Sequence, residues 1–381
     1  MPDGGNVVAF PPFRPVPILK GLVFPPSGSP SERFFMSSSR QLIDRRSARA
    51  PFFVGVDLGG TNVKVGAVDD AGRPLSWLSI PTESSAGPDD AVRRMGAAVR
   101  QAVDEAGLAA DEVVGVGLGS PGTMDLPTGM LLDPPNLPGW ENYPLRDRLR
   151  DACGKPVAFS NDAGAAAFGE FWVGSGRELS SIVLFTLGTG VGGGIIVGDF
   201  AIEGHHSTGA ECGHIVIDYR DDARMCPCGQ PGHLEAYCSA TALVKRTREA
   251  LDAGRKSSLN ARRAAGDELT ALVVAEEAEA GDPLALDLIL ETARYFGVGV
   301  TSIMHVIDPE GVVIGGAMTF GGDDAPLGRR FLEEVRAEVR RRAFPVLAAR
   351  TTIAYAQLGG DAGFIGAAGL ARAAYSKQRN S

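Results

Sequence analysis

The sequence predicts an α/β protein in two domains, and three observations predict it. At 381 residues the chain exceeds what one hydrophobic core organises, so two domains are expected. Residues 52–160 alternate strand-like and helix-like patterning in the order β-β-β-α-β-α-β, which is an α/β unit. A strand, a glycine-rich hairpin and a second strand occur at 57–65 and again at 186–195, so the second half opens as the first does.

Residues 1–50 stand apart. Pro11, Pro12, Pro15, Pro17, Pro25, Pro26 and Pro30 punctuate a stretch without sustained periodicity, followed by Ser37, Ser38, Ser39 and a basic segment over 40–49. That composition reads as a disordered extension, and Met36 is a candidate for the true start of translation. Strand runs follow at 52–58, 62–68 and 74–80, separated by Gly-rich and Asp-Asp-Ala-Gly turns as hairpins require. Residues 89–106 have helical spacing closed by Gly107, then 113–118 and 156–160 read as buried strands. An Ala-rich helix runs from after Asn161 to about 173, and 182–186 with 193–197 form the second hairpin. Residues 283–306 make a long apolar helix, 311–315 a short strand, 328–342 an amphipathic helix and 351–356 a last strand before a Gly/Ala-rich terminal helix. The domains expected are 51–162 together with the terminal helix near 360–376, and 163–359.

Composition excludes several function classes. With 44% hydrophobic and 22% charged residues the chain is an ordinary globular protein. A net charge of −9 argues against a nucleic-acid partner, since phosphate backbones are met with concentrated Lys and Arg. No apolar run of 18 residues or more exists, so no membrane span is expected. Five cysteines, Cys153, Cys212, Cys226, Cys228 and Cys238, suit a reduced, cytoplasmic setting and a metal site better than a disulfide framework. The 50 glycines imply tight turns or close backbone approaches to a ligand.

Four motifs carry chemistry. Asp57, Gly59, Gly60, Thr61 and Asn62 sit between two strands, where free N–H groups and a hydroxyl can take a phosphate and Asp57 can hold a hydrated Mg2+. A plain hairpin turn is the competing reading. Thr186 to Gly194 holds five glycines with Thr186, Gly188, Thr189 and Gly190 at its head, a run of backbone donors suited to a triphosphate. It lacks the Gly-Lys-Ser/Thr ending of a Walker loop and the helix a dinucleotide fingerprint needs. Two such hairpins in two domains suggest a nucleotide clamped between them. Gly315 and Gly316 could let a nucleoside lie against the backbone, or simply form a turn. Asn161 and Asp162 end a strand, where a carboxylate can take a proton from an attacking hydroxyl beside an orienting amide; a helix N-cap competes with that reading. The fourth motif holds Glu211, His214, Cys226, Cys228, His233 and Glu235. His214, Cys226, Cys228 and His233 supply four N/S ligands for a closed, structural Zn2+ site, which would hold Glu211, His214 and Glu235 in place as acceptors for sugar hydroxyls. His205 and His206 are read as loop residues.

Together these motifs resemble the ROK family of repressors, open reading frames and kinases, within the sugar kinase, heat-shock protein 70 and actin superfamily. The D-x-G-G-T loop, Ser120-Pro121-Gly122, Asn161-Asp162, the second glycine hairpin, Glu211-x-Gly213-His214 and C-x-C-G-x-x-G-x-x-E stand in family order. The resemblance implies two ribonuclease-H-like domains closing on ATP and a hexose. It implies Asp162 as catalytic base and Asn161, Glu211, His214 and Glu235 as sugar ligands, with Gly122 and the loop from Asn136 to Trp140 along the same pocket. Glucose is the expected sugar, with fructose, N-acetylmannosamine, N-acetylglucosamine and allose as alternatives, and a homodimer or homotetramer is implied. A repressor of this family needs a helix-turn-helix, for which residues 1–50 are too short and Pro-rich. One departure stands out: His233 occupies the place of the family's third cysteine, giving a two-Cys, two-His shell.

Overall fold

The computed structural model of the protein describes residues 41–134 and 137–380. The proline-rich stretch, Met36 and Asn136 lie outside the described residues. The first sheet takes β1 (Phe52–Leu58), β2 (Asn62–Val68), β3 (Leu78–Pro81), β4 (Val113–Ser120) and β7 (Val157–Asn161) in the order β3-β2-β1-β4-β7, with a separate hairpin of β5 (Thr123–Asp125) and β6 (Met130–Asp133). The second takes β8 (Ser181–Leu187), β9 (Val191–Val197), β10 (Phe200–Ala201), β11 (Gly311–Gly315) and β12 (Thr352–Tyr355) in the order β10-β9-β8-β11-β12. Each sheet is an antiparallel meander whose first strand then pairs in parallel with a strand that arrives by crossover. The local echo in the sequence is therefore an echo of whole sheets.

The helices are α1 (Pro88–Glu105), α2 (Leu145–Cys153), α3 (Asp162–Trp172), α4 (Glu235–Cys238), α5 (Ala240–Asp252), α6 (Leu259–Ala264), α7 (Ala271–Glu279), α8 (Pro283–Ile307), α9 (Pro326–Arg342), α10 (Pro345–Arg350) and α11 (Ala362–Asn380). Central parallel strands must be covered on both faces, and β1 is buried along nearly its whole length. One face packs α1 residues Val92, Met95 and Val99; the other takes α11 through Phe364, Ile365 and Ala368. A Cβ at Gly55 or Gly117 would lie 1.7 Å from the carbonyl oxygen of Phe364 or Ala367, so α11 rests directly on sheet backbone. Among the described residues, no helix is long and apolar enough to cross a membrane.

Two expectations change. The extension read as reaching residue 50 ends earlier among the described residues. Ile43 N donates to Pro74 O at 2.9 Å, Arg73 Nη2 to Ser47 O at 2.8 Å and Arg49 N to Asp69 at 3.1 Å, while Arg45 pairs with Glu112. These partners are remote in sequence, so local composition gives no sign of them. The third strand, expected over 74–80, spans Leu78–Pro81; Pro74 makes only an isolated bridge to Val68, having no N–H to extend a ladder.

Candidate functional site

The carboxyl ends of the parallel strands of both sheets open on one cavity of about 1240 Å³. Ligands of open α/β sheets bind in this position, because side chains and helix starts converge there. Asp57 near the end of β1, Asn161 at the end of β7 and Asp162 just after it, Thr186 near the end of β8 and Gly316 after β11 all line it, with Gly122 on the turn into β5. One drug-sized ligand fills about 300–1,000 Å³, so the space suits more than one small molecule.

Asn161 caps α3: its Oδ1 accepts from Ala163 N at 2.9 Å and Gly164 N at 3.4 Å. The cap reading therefore holds, and it leaves the side-chain amide N–H donors for a ligand. Asp162 opens the helix and accepts from Ala163 N at 2.8 Å. Surrounding protein strips most water from this carboxyl and raises its pKa, which makes it a better proton acceptor than a surface aspartate. Asp57 is pushed up to about 6 by burial, with Lys64 opposing and Asp162 adding to the shift. Glu211 is also raised, first by burial, then by Asp162 and Glu235, against His214. These carboxylates feel one another across a shared, poorly solvated space.

The second glycine hairpin forms one wall. Gly188, Thr189 and Gly190 line the cavity, and the backbone behind them is braced: Ala240 N donates to Gly188 O and Thr241 Oγ1 to Thr189 O, both at 2.8 Å. Glu235 Oε2 accepts from Val191 N at 2.8 Å, and a Cβ at Gly190 would lie 2.3 Å from that oxygen. Gly316, at φ +92, lies so close to Leu187 that a Cβ would meet its carbonyl at 2.2 Å. No L side chain fits there.

His214, Cys226, Cys228 and His233 bring four ligand atoms within 4.8 Å of one another. His214 Nδ1 and His233 Nδ1 are 3.3 Å apart, Cys228 Sγ is 3.2 Å from His233 Nδ1 and Cys226 Sγ is 3.7 Å from His214 Nδ1. A tetrahedral Zn2+ with usual bond lengths needs about 3.3 Å between two nitrogens and about 3.6 Å between nitrogen and sulfur. The donor set fits such an ion, and His233 Nδ1 stands among the four candidate ligand atoms. Burial pushes the Cys226 thiol up to about 12, a cost a bound cation removes. Burial and His214 lower the His233 pKa, favouring the neutral imidazole that coordinates metal. With Nδ1 turned to the cluster, His214 presents Nε2 at 3.8 Å from Glu211 Oε2. Glu235 Oε1 lies 3.5 Å from Cys226 Sγ, so one carboxylate spans from the cluster to the glycine hairpin.

Glu211, His214 and Glu235 join Asp162 around the cavity. Gly59, Gly60, Thr61 and Asn62 do not line it, nor does Gly315, which is buried at the end of β11. The first hairpin's tip is satisfied internally: Gly59 N donates to Asn62 O at 3.0 Å, and Thr82 Oγ1 to Gly59 O at 2.6 Å. Sequence reasoning missed Lys64, Glu203, Ser207, Thr208, Gly359, Gly360 and Gly363, all on the cavity wall. Lys64 was legible in principle. A short turn after β1 sets it directly opposite Asp57 in the hairpin register, and its Nζ is 4.0 Å from Asp57 Oδ2.

The ROK family profile matches residues 53–374. The chain is 32% identical over 330 residues to a glucokinase of Halalkalibacterium halodurans, covering 87% of this chain and 96% of that one. It is similar to a solved ROK family glucokinase from Streptomyces griseus in complex with glucose and AMPPNP, at TM-score 0.68 and 34% identity, over 84% of this chain and 99% of that one. A ROK family transcriptional regulator, homologous to the E. coli MLC protein, shares the fold at TM-score 0.72 and 25% identity, over 85% of this chain and 78% of that one.

Proposed function

The chain belongs to the ROK family, and on that premise we propose that it is an ATP-dependent hexose kinase acting on the 6-hydroxyl, with glucose the preferred sugar. The observation that carries this reading is the position of Asp162, a desolvated carboxylate on the wall of a cavity shared by the braced glycine hairpin and by Glu211, His214 and Glu235. In this reading the hydroxyl oxygen attacks the γ-phosphorus, the bond from that phosphorus to the bridging oxygen of ADP breaks, and the hydroxyl proton passes to Asp162. The transition state of such transfers is loose, so positioning and charge stabilisation dominate. Backbone N–H groups of the 188–190 turn would take phosphate oxygens, and Asp57 would hold the hydrated Mg2+ that accompanies ATP. Gly59, Gly60, Thr61 and Asn62 would reach the phosphates only once the two halves close. The side-chain amide of Asn161, with Glu211, His214 and Glu235, would orient sugar hydroxyls, and Gly122 and Asn136 would border the sugar. His214, Cys226, Cys228 and His233 would hold a Zn2+, which would supply a structural crosslink fixing the rotamers of those groups. The halves are assigned as 51–162 with the terminal helix, and 163–359, and the assembly as a homodimer or homotetramer.

The test is a coupled ADP-release assay over glucose, fructose, N-acetylmannosamine, N-acetylglucosamine and allose. Glucose should give the highest kcat/KM and Asp162→Asn should silence the reaction. A higher value for another of these sugars replaces the substrate, and sugar-independent ADP release in both proteins removes the kinase reading.

A further inference from the structure

Glu170 lies on the last turn of α3, fully buried. The site just described does not use it, and among the described residues no basic side chain pairs with it. Its carboxylate instead collects four donors from two separate segments. Oε2 accepts from Ser175 N and Ser175 Oγ, both at 2.8 Å, and from Gln357 N at 3.1 Å; Oε1 accepts from Leu358 N at 2.7 Å. Burying a carboxylate is costly unless such donors replace its water, so the arrangement is more specific than core packing requires.

The two segments are the places where the chain passes between the halves. Within the described residues it goes from the first sheet to the second through 173–180, after α3, and returns through 356–361, after β12. The first crossing is shaped to the carboxylate: a Cβ at Gly174 would lie 2.2 Å from Glu170 Oε2. The second runs straight into the site, where Gly359, Gly360 and Gly363 line the cavity. Gly360 O accepts from Lys64 Nζ at 2.8 Å, and a Cβ at Gly363 would meet the Asp57 carboxyl at 2.5 Å. At the other end of α3, two helical turns or about 12 Å away, stands Asp162. One buried carboxylate thus joins both crossings to the helix that carries the proposed base.

We infer that Glu170 is a positioning residue that pins the two interdomain crossings together as one hinge, and so sets how the cavity wall that carries Asp57 and Asp162 meets the Gly188–Gly190 wall of the second sheet when the halves close. The hinge itself is independent of the kinase reading; only its kinetic consequence rests on that reading.

Hydrogen–deuterium exchange on the full chain tests it. Glu170→Gln keeps the shape but turns one oxygen into a donor facing donors. The expected result is a rise of about tenfold in exchange at Ser175 and at Gln357–Leu358 together, with the cores of both sheets still protected. A rise at one crossing alone, or an even rise over the whole chain, overturns the inference. Ser175→Ala is the milder variant should Glu170→Gln not fold: it should raise exchange at Gln357–Leu358 as well as at residue 175, and an unchanged second crossing overturns the inference. In the kinase assay a hinge defect should lower kcat about tenfold and move the KM of both substrates with it, whereas a merely unstable protein loses active fraction at constant KM. Exchange coupled as expected in a wild-type protein without kinase activity would leave the hinge standing and remove the kinase reading; active wild type with uncoupled crossings would do the reverse.

Discussion

The two glycine-rich hairpins share a strand-turn-strand pattern, yet they hold unequal positions in the fold. The turn after β8 lines the cavity and is braced from behind by Glu235, Ala240 and Thr241. The turn after β1 closes on its own Gly59 and Asn62 backbone, is tied to Thr82 and faces solvent at Gly60, Thr61 and Asn62. A preorganised donor wall costs nothing further when a ligand arrives, whereas an exposed turn contributes only after movement. The resting cavity takes its braced glycine turn from the second sheet, and in the proposed kinase the first hairpin would join it only on closure.

The largest effect should come from Asp162, the proposed base on the cavity wall. Asp162→Asn should lower kcat by about two to four orders of magnitude, the usual range for a general base, while calorimetry still detects sugar binding. The same substitution reports on stability. The Asp162 pKa is raised in the fold, so its contribution is fully favourable below the unfolded value of 3.8 and is lost as pH rises through the folded one. Thermal melts should therefore show Asp162→Asn more stable than wild type at pH 8, with the gap closing towards pH 4. In the wild-type enzyme, kcat/KM should fall as pH drops through that raised pKa, since the base must be ionised. A profile that stays flat down to the ordinary aspartate range would break the assignment.

Next in size is the brace. Gly190→Ala forces a methyl against the Glu235 carboxylate and should raise the KM for ATP about tenfold or more, as expected when preorganised backbone donors are displaced. Removal of zinc by a strong chelator, verified by elemental analysis, should lower the melting temperature by several degrees and raise the KM for sugar, since His214 and Glu235 lose their anchor. Unchanged melting in metal-free protein would separate the His/Cys cluster from the site. The smallest effect belongs to the first hairpin. Thr61→Ala should change the KM for ATP by no more than about threefold, the worth of one exposed hydrogen bond, and a larger loss would show that this turn is as engaged as its counterpart.

Much of the site was legible because its residues are contiguous or nearly so. Asn161 and Asp162 follow a buried strand, and the ligand types and spacing of His214, Cys226, Cys228 and His233 suit one tetrahedral ion. Long helices with strong periodicity, such as Pro283–Ile307, were also readable. The β5–β6 hairpin and the helices Ala240–Asp252, Leu259–Ala264, Ala271–Glu279 and Pro345–Arg350 were not, since short or weakly patterned segments take their conformation from the surface they pack on. Lys64 escaped notice because its meaning depends on the residue across the ladder. Glu170 escaped because its partners lie 5 to 188 positions away.

The sequence by itself determined the two-sheet α/β plan, the family, the His/Cys set that fits a metal ion and the carboxylate proposed as base, since each is written in residue type and short spacing. Only the tertiary structure decided which glycine hairpin lines the cavity, that residues 43–50 belong to the folded body, and that Glu170 ties both crossings together. The physical reason is common to all three. Burial and hydrogen-bond satisfaction are set by groups that meet across the fold, and a carboxylate or a turn acquires its role from the donors that reach it.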